Sequence, residues 1–233
     1  MAFRFKQFEI EDDDSTMKVG TDAILLGSWI NTGNCKSILE IGTGSGVIAL
    51  MLAQKTNAKI TAIDIDENSV LQALMNVSNS KWSKQIIVQN VSFQDFIKSS
   101  NKTFDLIVSN PPFFGNSLKS PTTKTNLAKH NDNLSSKDLI SGVKKTLSKN
   151  GCFYAIFPYS EGNIFREKAE INNLFCTKIL LIKPKTNKPA NRILFRFQLI
   201  KPAESIENKL TIKNKNNTFN EEFVDLTKDY YLD

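Results

Sequence analysis

Apolar and polar positions change period along the chain, and each change marks an element. Phe3, Phe5, Phe8 and Ile10 alternate with Arg4, Lys6, Gln7 and Glu9, which predicts a short edge strand or hairpin arm before the acidic turn of residues 11–14. Thr21 and Asp22 predict the cap of a helix over 23–29. From Ser37 onward short apolar runs alternate with helical patterns: strands over 38–41, 59–63, 85–89, 104–109 and 152–157, and helices over 47–54, 67–80, 137–147 and 161–172, with Asp66 as the cap of the second. Runs this continuously apolar predict a parallel sheet covered on both faces. Two final strands, 177–182 and 192–199, lie too close together for a crossover helix, so they predict an antiparallel hairpin around the loop 183–191 with its Pro184 and Pro189. The fold class expected is α/β, a mostly parallel seven-stranded sheet with an antiparallel C-terminal hairpin and a short N-terminal extension. One domain spans 1–233: an extension with a helix over 1–30, a core sheet over 37–200 and a tail over 201–233. The Lys/Asn-rich residues 208–217 are expected to be mobile or peripheral.

Composition narrows the setting. At 233 residues and 40% apolar content the chain can bury an ordinary core, and no apolar run approaches the roughly 20 residues of a membrane span. The N-terminus lacks the apolar segment of a secretion signal. Cys35, Cys152 and Cys176 are odd in number, far apart and in no CxxC pair, which predicts free thiols and a cytoplasmic protein. The net charge of +6 is unevenly divided: residues 1–114 carry 10 Lys/Arg against 12 Asp/Glu, residues 115–217 carry 19 against 7, and residues 218–233 carry 1 against 5. A basic half of this kind fits a polyanion such as nucleic acid, or equally a solvated Lys-rich surface.

The chemistry collects at predicted strand ends. Gly42-Thr43-Gly44-Ser45-Gly46 opens a helix directly after the first core strand, at the carboxyl edge of the sheet where ligands bind in such folds. Its spacing is GxGxG and not the dinucleotide GxGxxG, and the preceding Glu40 is free to face a cation. Asp64, eighteen residues after Gly46, can accept both hydroxyls of a ribose. Asp95 stands at the next strand end, either facing an adenine amino group or capping a helix. After the strand 104–109 comes Asn110-Pro111-Pro112-Phe113. Proline fixes φ and donates no backbone hydrogen bond, so the carbonyls of Asn110 and Pro111 can accept from an NH2 group while Phe113 stacks on the ring that carries it. Alone, the same four residues read as a strand-terminating turn.

With both motifs at consecutive strand ends, residues 15–200 resemble the class I S-adenosylmethionine-dependent methyltransferases, a Rossmann-like fold. The resemblance implies that S-adenosylmethionine is the cofactor, that Gly42, Gly44 and Gly46 line it, that Asp64 holds its ribose and that Asp95 contacts its adenine. The Asn-Pro-Pro-Phe tetrad resembles that of enzymes methylating adenine N6, cytosine N4 or glutamine N5. The run Met17-Lys18-Val19-Gly20-Thr21-Asp22-Ala23-Ile24-Leu25-Leu26-Gly27-Ser28-Trp29 is similar to the N-terminal signature of the bacterial tRNA1(Val) adenine-N6 methyltransferases, as are Ala128-Lys129-His130 and Lys188-Pro189-Ala190-Asn191-Arg192-Ile193-Leu194. His130 stands where that family carries an Arg.

This likeness implies N6-methylation of the adenine 3′ to the anticodon of tRNA1(Val), with Asn110, Pro111, Pro112 and Phe113 catalytic. It implies cofactor contacts at Lys18, Thr21, Glu40, Gly42, Gly44, Gly46, Asp64, Asp95 and Asn110, and RNA contacts at Phe113, Phe114, Lys119, Lys129, Lys188 and Arg192. The partner expected is the anticodon loop of a tRNA, without metal, membrane or obligate protein partner. Competing readings are N6-adenine methylation of another RNA such as ribosomal RNA, methylation of a protein glutamine N5, and an RNA-binding module that has lost catalysis. The glutamine enzymes normally carry an N-terminal helical domain for which there is no room before Lys18, and a nicotinamide dehydrogenase fits neither motif.

Overall fold

The structure, a computed structural model, describes residues 2–12, 19–111 and 134–232. Two short antiparallel strands, β1 (Phe3–Arg4) and β2 (Glu9–Ile10), precede helix α1 (Thr21–Trp29). The alternation that follows is β3 (Ser37–Ile41), α2 (Val47–Lys55), β4 (Lys59–Asp64), α3 (Glu67–Ser78), β5 (Ile86–Asn90), α4 (Phe93–Ser99) and β6 (Phe104–Ser109). The remaining described elements are α5 (Ser136–Thr146), β7 (Leu147–Pro158), α6 (Tyr159–Ile171), β8 (Phe175–Lys185), β9 (Arg192–Gln198), β10 (Ile206–Lys213) and α7 (Glu221–Thr227).

Strands β3 to β10 make one sheet in the order β10-β8-β9-β7-β6-β3-β4-β5. Every pair is parallel except those of β9, which runs antiparallel to β7 and β8 as the expected hairpin requires. Alternate residues serve two cores, as a sheet buried on both faces demands. Ile38 and Leu106 join the cluster built with α1, α2 and α7. Leu39 and Ile107 join the Phe-rich cluster of α4, α5 and α6. The chain leaves β3 toward β4 on one side and β6 lies on the other, so a crevice opens beyond the carboxyl ends of β3 and β6.

Three expectations are corrected. The sheet has eight strands, because residues 206–213 add β10 alongside β8, in register from Ile206↔Lys178 to Lys213↔Lys185. Residues 201–233 are therefore not an appended tail: Phe223 and Tyr230 are buried, the Tyr230 hydroxyl donates to the Met51 carbonyl at 3.0 Å, and the Lys6 amide donates to the Tyr230 carbonyl at 2.9 Å. Lastly, α1 is capped by neither Thr21 nor Asp22; Gly20 takes the N-cap position with no side-chain bond. By contrast Asp66 caps α3 as expected, its Oδ2 accepting from the Ser69 amide at 2.9 Å.

Helix α1 lies so close to α2 that a Cβ on Gly27 would come within 2.6 Å of Met51 Sδ. Its carboxyl end is closed by Lys55, whose Nζ donates to the carbonyls of Gly27, Ser28 and Ile30 at 2.9, 2.6 and 3.1 Å. Burial lowers the Lys55 pKa to about 8, with Asp229 acting the other way. No described helix is long and apolar enough to cross a membrane.

Candidate active site

The glycine loop is pinned to the end of β4. Gly42 and Thr43 amides donate to the Ile63 carbonyl at 2.9 and 3.0 Å, and the Gly44 amide donates to Asp64 Oδ2 at 2.8 Å. Gly42 has φ of +73° and a Cβ built there would meet nothing within 4 Å. Its missing side chain thus leaves both an accessible backbone and open space for a ligand. Gly46, at φ +85°, begins α2 with its Cβ position 3.4 Å from Ala73 Cβ, which brings α3 close behind the loop. From α3 the buried Asn76 Nδ2 donates to the Ser45 carbonyl at 2.9 Å and to the Glu11 carbonyl at 2.7 Å, and its Oδ1 accepts from the Glu11 amide at 3.0 Å.

Two cavities share Gly42, Gly44 and Asn110. One, of about 280 Å³, is lined further by Asp64, Ile65, Ser92, Phe93, Gln94 and Pro111. The other, of about 630 Å³, lies between Thr21, Asp22, Arg192, Lys213 and Phe219. Asp64 presents a carboxylate already oriented by two amides, with Oδ1 accepting from Asp66 at 3.0 Å and Oδ2 from Gly44. Beside it Ile65, half exposed, offers an apolar face to the smaller cavity. Asn110 stands at the junction of the two spaces, immediately after β6, and its side chain hydrogen-bonds to none of the described residues.

Several residues lie elsewhere than expected. Asp95 lines neither of these cavities; the Ser92 hydroxyl donates to its Oδ2 at 2.8 Å and Lys98 to its Oδ1 at 2.9 Å, while its amide donates to Ser92 Oγ at 3.1 Å, a reciprocal cap on α4. Lys98 first, then Ser92, lowers the Asp95 pKa. The polar groups at that end of the cavity are Ser92 and Gln94. Arg192 is half-buried and lines the larger cavity, with Nε on Asp22 Oδ2 at 2.8 Å, so it ties α1 to the β8–β9 hairpin. Glu40 sits behind the loop, 1% exposed, with Oε2 accepting from the Thr43 hydroxyl at 2.7 Å and Oε1 buried without a hydrogen-bond partner. Burial pushes its pKa up to about 8, against the Thr43 hydroxyl and with help from the charge of Asp64. Thr21 lines the larger cavity, and Lys188 lies exposed at the hairpin loop. Lys18, Pro112, Phe113, Phe114, Lys119, Lys129 and His130 fall outside the described residues. Ile65, Ser92, Phe93, Gln94 and Asn76 escaped sequence reasoning; Ile65, an apolar residue between two aspartates at a strand end, is the one that carried a signal.

Residues 15–156 match the family described as "Methyltransferase small domain". A tRNA1(Val) (adenine(37)-N6)-methyltransferase of Trichodesmium erythraeum is 45% identical over 99% of this chain and 97% of its own. A protein of the same name from Bacteroides fragilis is 41% identical over the same shares. Among solved structures, a "predicted O-methyltransferase" of Agrobacterium tumefaciens superposes with a TM-score of 0.67 over 90% of this chain and 96% of that one at 18% identity, a likeness of fold alone. The similarity to the named relatives runs the length of both chains, and on it this chain belongs to the family of tRNA1(Val) (adenine(37)-N6)-methyltransferases.

Proposed function

We propose that this protein transfers a methyl group from S-adenosylmethionine to the exocyclic N6 of an unpaired adenine in tRNA, the one 3′ to the anticodon; its relatives are named for N6-methylation of adenine(37) in tRNA1(Val). The observation that carries the reading is the place of Asn110, at the junction of the ribose-fitting cavity and the larger one.

The residues present fit the cofactor. The open space at Gly42 lets a ligand lie on the backbone, Asp64 would hold the ribose hydroxyls, Ile65 and Phe93 would flank a purine, and Ser92 and Gln94 supply polar groups at its edge. When bound, the cofactor supplies a methyl on a sulfonium, an electrophile that needs no covalent enzyme nucleophile.

The chain's own work is to position and polarise the amine. In adenine the N6 lone pair is delocalised into the ring, so it attacks poorly. Accepting its N–H bonds at Asn110 Oδ1 and the Pro111 carbonyl favours the tetrahedral nitrogen that forms as charge develops. Holding it in line with the methyl lowers the entropic part of the barrier. Phe113, next in sequence after the prolines, is assigned to stack on the flipped base. An anticodon-loop adenine is already unpaired, so extruding it costs less than opening a duplex.

Labelled S-adenosylmethionine with unmodified tRNA is the test. N6-methyladenosine should form in tRNA, and Asn110→Ala should lower kcat by roughly 100-fold, in the range of losing one preorganised transition-state contact. Label only in ribosomal RNA or in protein glutamine, or an Asn110→Ala enzyme as fast as wild type, overturns the reading.

A further inference from the structure

Beyond the target adenine, we propose that β10 and the turn following it form a second nucleotide subsite, in which Phe219 stacks on an unpaired base next to the target and Lys213 meets its phosphate. The inference rests on the RNA reading above.

Topology puts these residues at the site. β10 runs parallel to β8, which is antiparallel to β9, which is antiparallel to β7, itself parallel to β6. The carboxyl end of β10 therefore points the same way as the ends of β3 and β6, where Gly42 and Asn110 lie. Lys213 ends β10, and the chain turns back so that Phe219 bridges to Lys213. Both line the larger cavity that Asn110 also lines. The Thr186 amide donates to the Lys213 carbonyl at 3.0 Å, and Lys185 Nζ donates to Asn217 Oδ1 at 2.8 Å, so hairpin loop and turn form one wall.

The chemistry of that wall favours a nucleotide. Phe219 is 54% exposed although it is a large aromatic ring, and it stacks on the buried Phe223 with centroids 5.2 Å apart and planes at 24°. A ring backed by the core and more than half exposed can serve as a stacking platform. Lys213 Nζ lies 5.4 Å from its centroid, a cation held over the same ring. Residues 183–219 carry nine Lys/Arg and two acids, Glu204 and Glu207, so the wall complements phosphate. The cavity's own acid, Asp22, is paired with Arg192.

Binding is read first, without turnover, by fluorescence of a short single-stranded oligoribonucleotide containing 2-aminopurine, titrated with the full-length protein. Phe219→Ala should weaken binding about 10-fold, within the range for losing one base–aromatic stack. Phe219→Trp should restore both affinity and quenching, which a merely structural role would not do. Lys213→Ala should lower the slope of log affinity against log salt by about one. Equal binding by wild type and Phe219→Ala overturns the subsite, as does failure of Phe219→Trp to restore it in a protein with wild-type melting temperature. Methylation kinetics then separate the two claims. In an enzyme active on tRNA, Phe219→Ala should raise KM for tRNA about 10-fold, with the change carried by KM and not kcat. A wild-type protein that methylates no tRNA, yet binds RNA through Phe219, sinks the function and leaves the subsite standing.

Discussion

Glu40 is a carboxyl group kept almost wholly from water, with one oxygen on Thr43 and the other unpartnered. Because burial raises its pKa from 4.5 to about 8 in the folded chain, its contribution to stability is fully present below pH 4.5 and is lost as pH rises through about 8. The unfolded chain releases the proton first, so urea denaturation of the free protein should show stability falling by a few kcal/mol across that window. Glu40→Gln cannot titrate, and its profile should be flatter there; an unchanged slope in Glu40→Gln would assign the fall to another group. Asp105 and Asp95, both with lowered pKa, act in the opposite sense and only near and below pH 4, so they do not mask the effect. At this scale the sequence was most readable where spacing itself carries the chemistry. Gly42, Gly44, Asp64 and Asn110 each follow a strand end, and the structure brings all four to one crevice. Asp95 was less readable: a capping carboxylate and a ligand-binding one occupy the same place after a strand, and in the fold Asp95 is bonded to Ser92 and Lys98 as a cap.

Among the elements, α3 acts as the bracket of the glycine loop. Asn76 joins it to both the Ser45 carbonyl and the backbone of Glu11, so one side chain couples the N-terminal segment to the glycine loop. Asn76→Ala leaves two carbonyls and an amide without their partner, and should cost about 1–3 kcal/mol by denaturant titration. Asn76→Asp should be worse, since a carboxylate then faces two carbonyl oxygens it cannot donate to. Calorimetric titration should show S-adenosylmethionine binding more weakly to both. The strand β10 shows why some elements are hidden from sequence. Its eight residues, Ile-Glu-Asn-Lys-Leu-Thr-Ile-Lys, alternate only weakly, with Asn208 interrupting Ile206, Leu210 and Ile212, and they lie in a Lys/Asn-rich run that reads as periphery; only Leu210 is fully buried. It is a strand because β8 offers an unpaired edge, a tertiary cause that propensity does not report. Asp22 and Arg192 are hidden for a similar reason, being a pair that meets across 170 residues.

Taken as a whole, the molecule places the glycine loop and Asp64 at the ends of β3 and β4 and its basic wall on the strands after 175, with β6 and β7 between them. This matches the acidic-to-basic division along the chain. The strand that completes the wall also closes the sheet. Without it, β8 would present Ile179, Leu180, Leu181 and Ile182 along an open edge, and exposed apolar edges invite pairing with other chains. A chain ending at residue 201 should therefore appear in the void volume of a sizing column and not as a monomer; a stable truncated monomer would show that β10 only decorates the sheet. In the whole protein the outermost strand is instead studded with Lys209 and Lys213, charges that resist strand addition by a second copy. Exchanging Lys213 for a neutral β-former to test the subsite would also remove one guard against self-association, so self-association has to be measured alongside affinity in that variant.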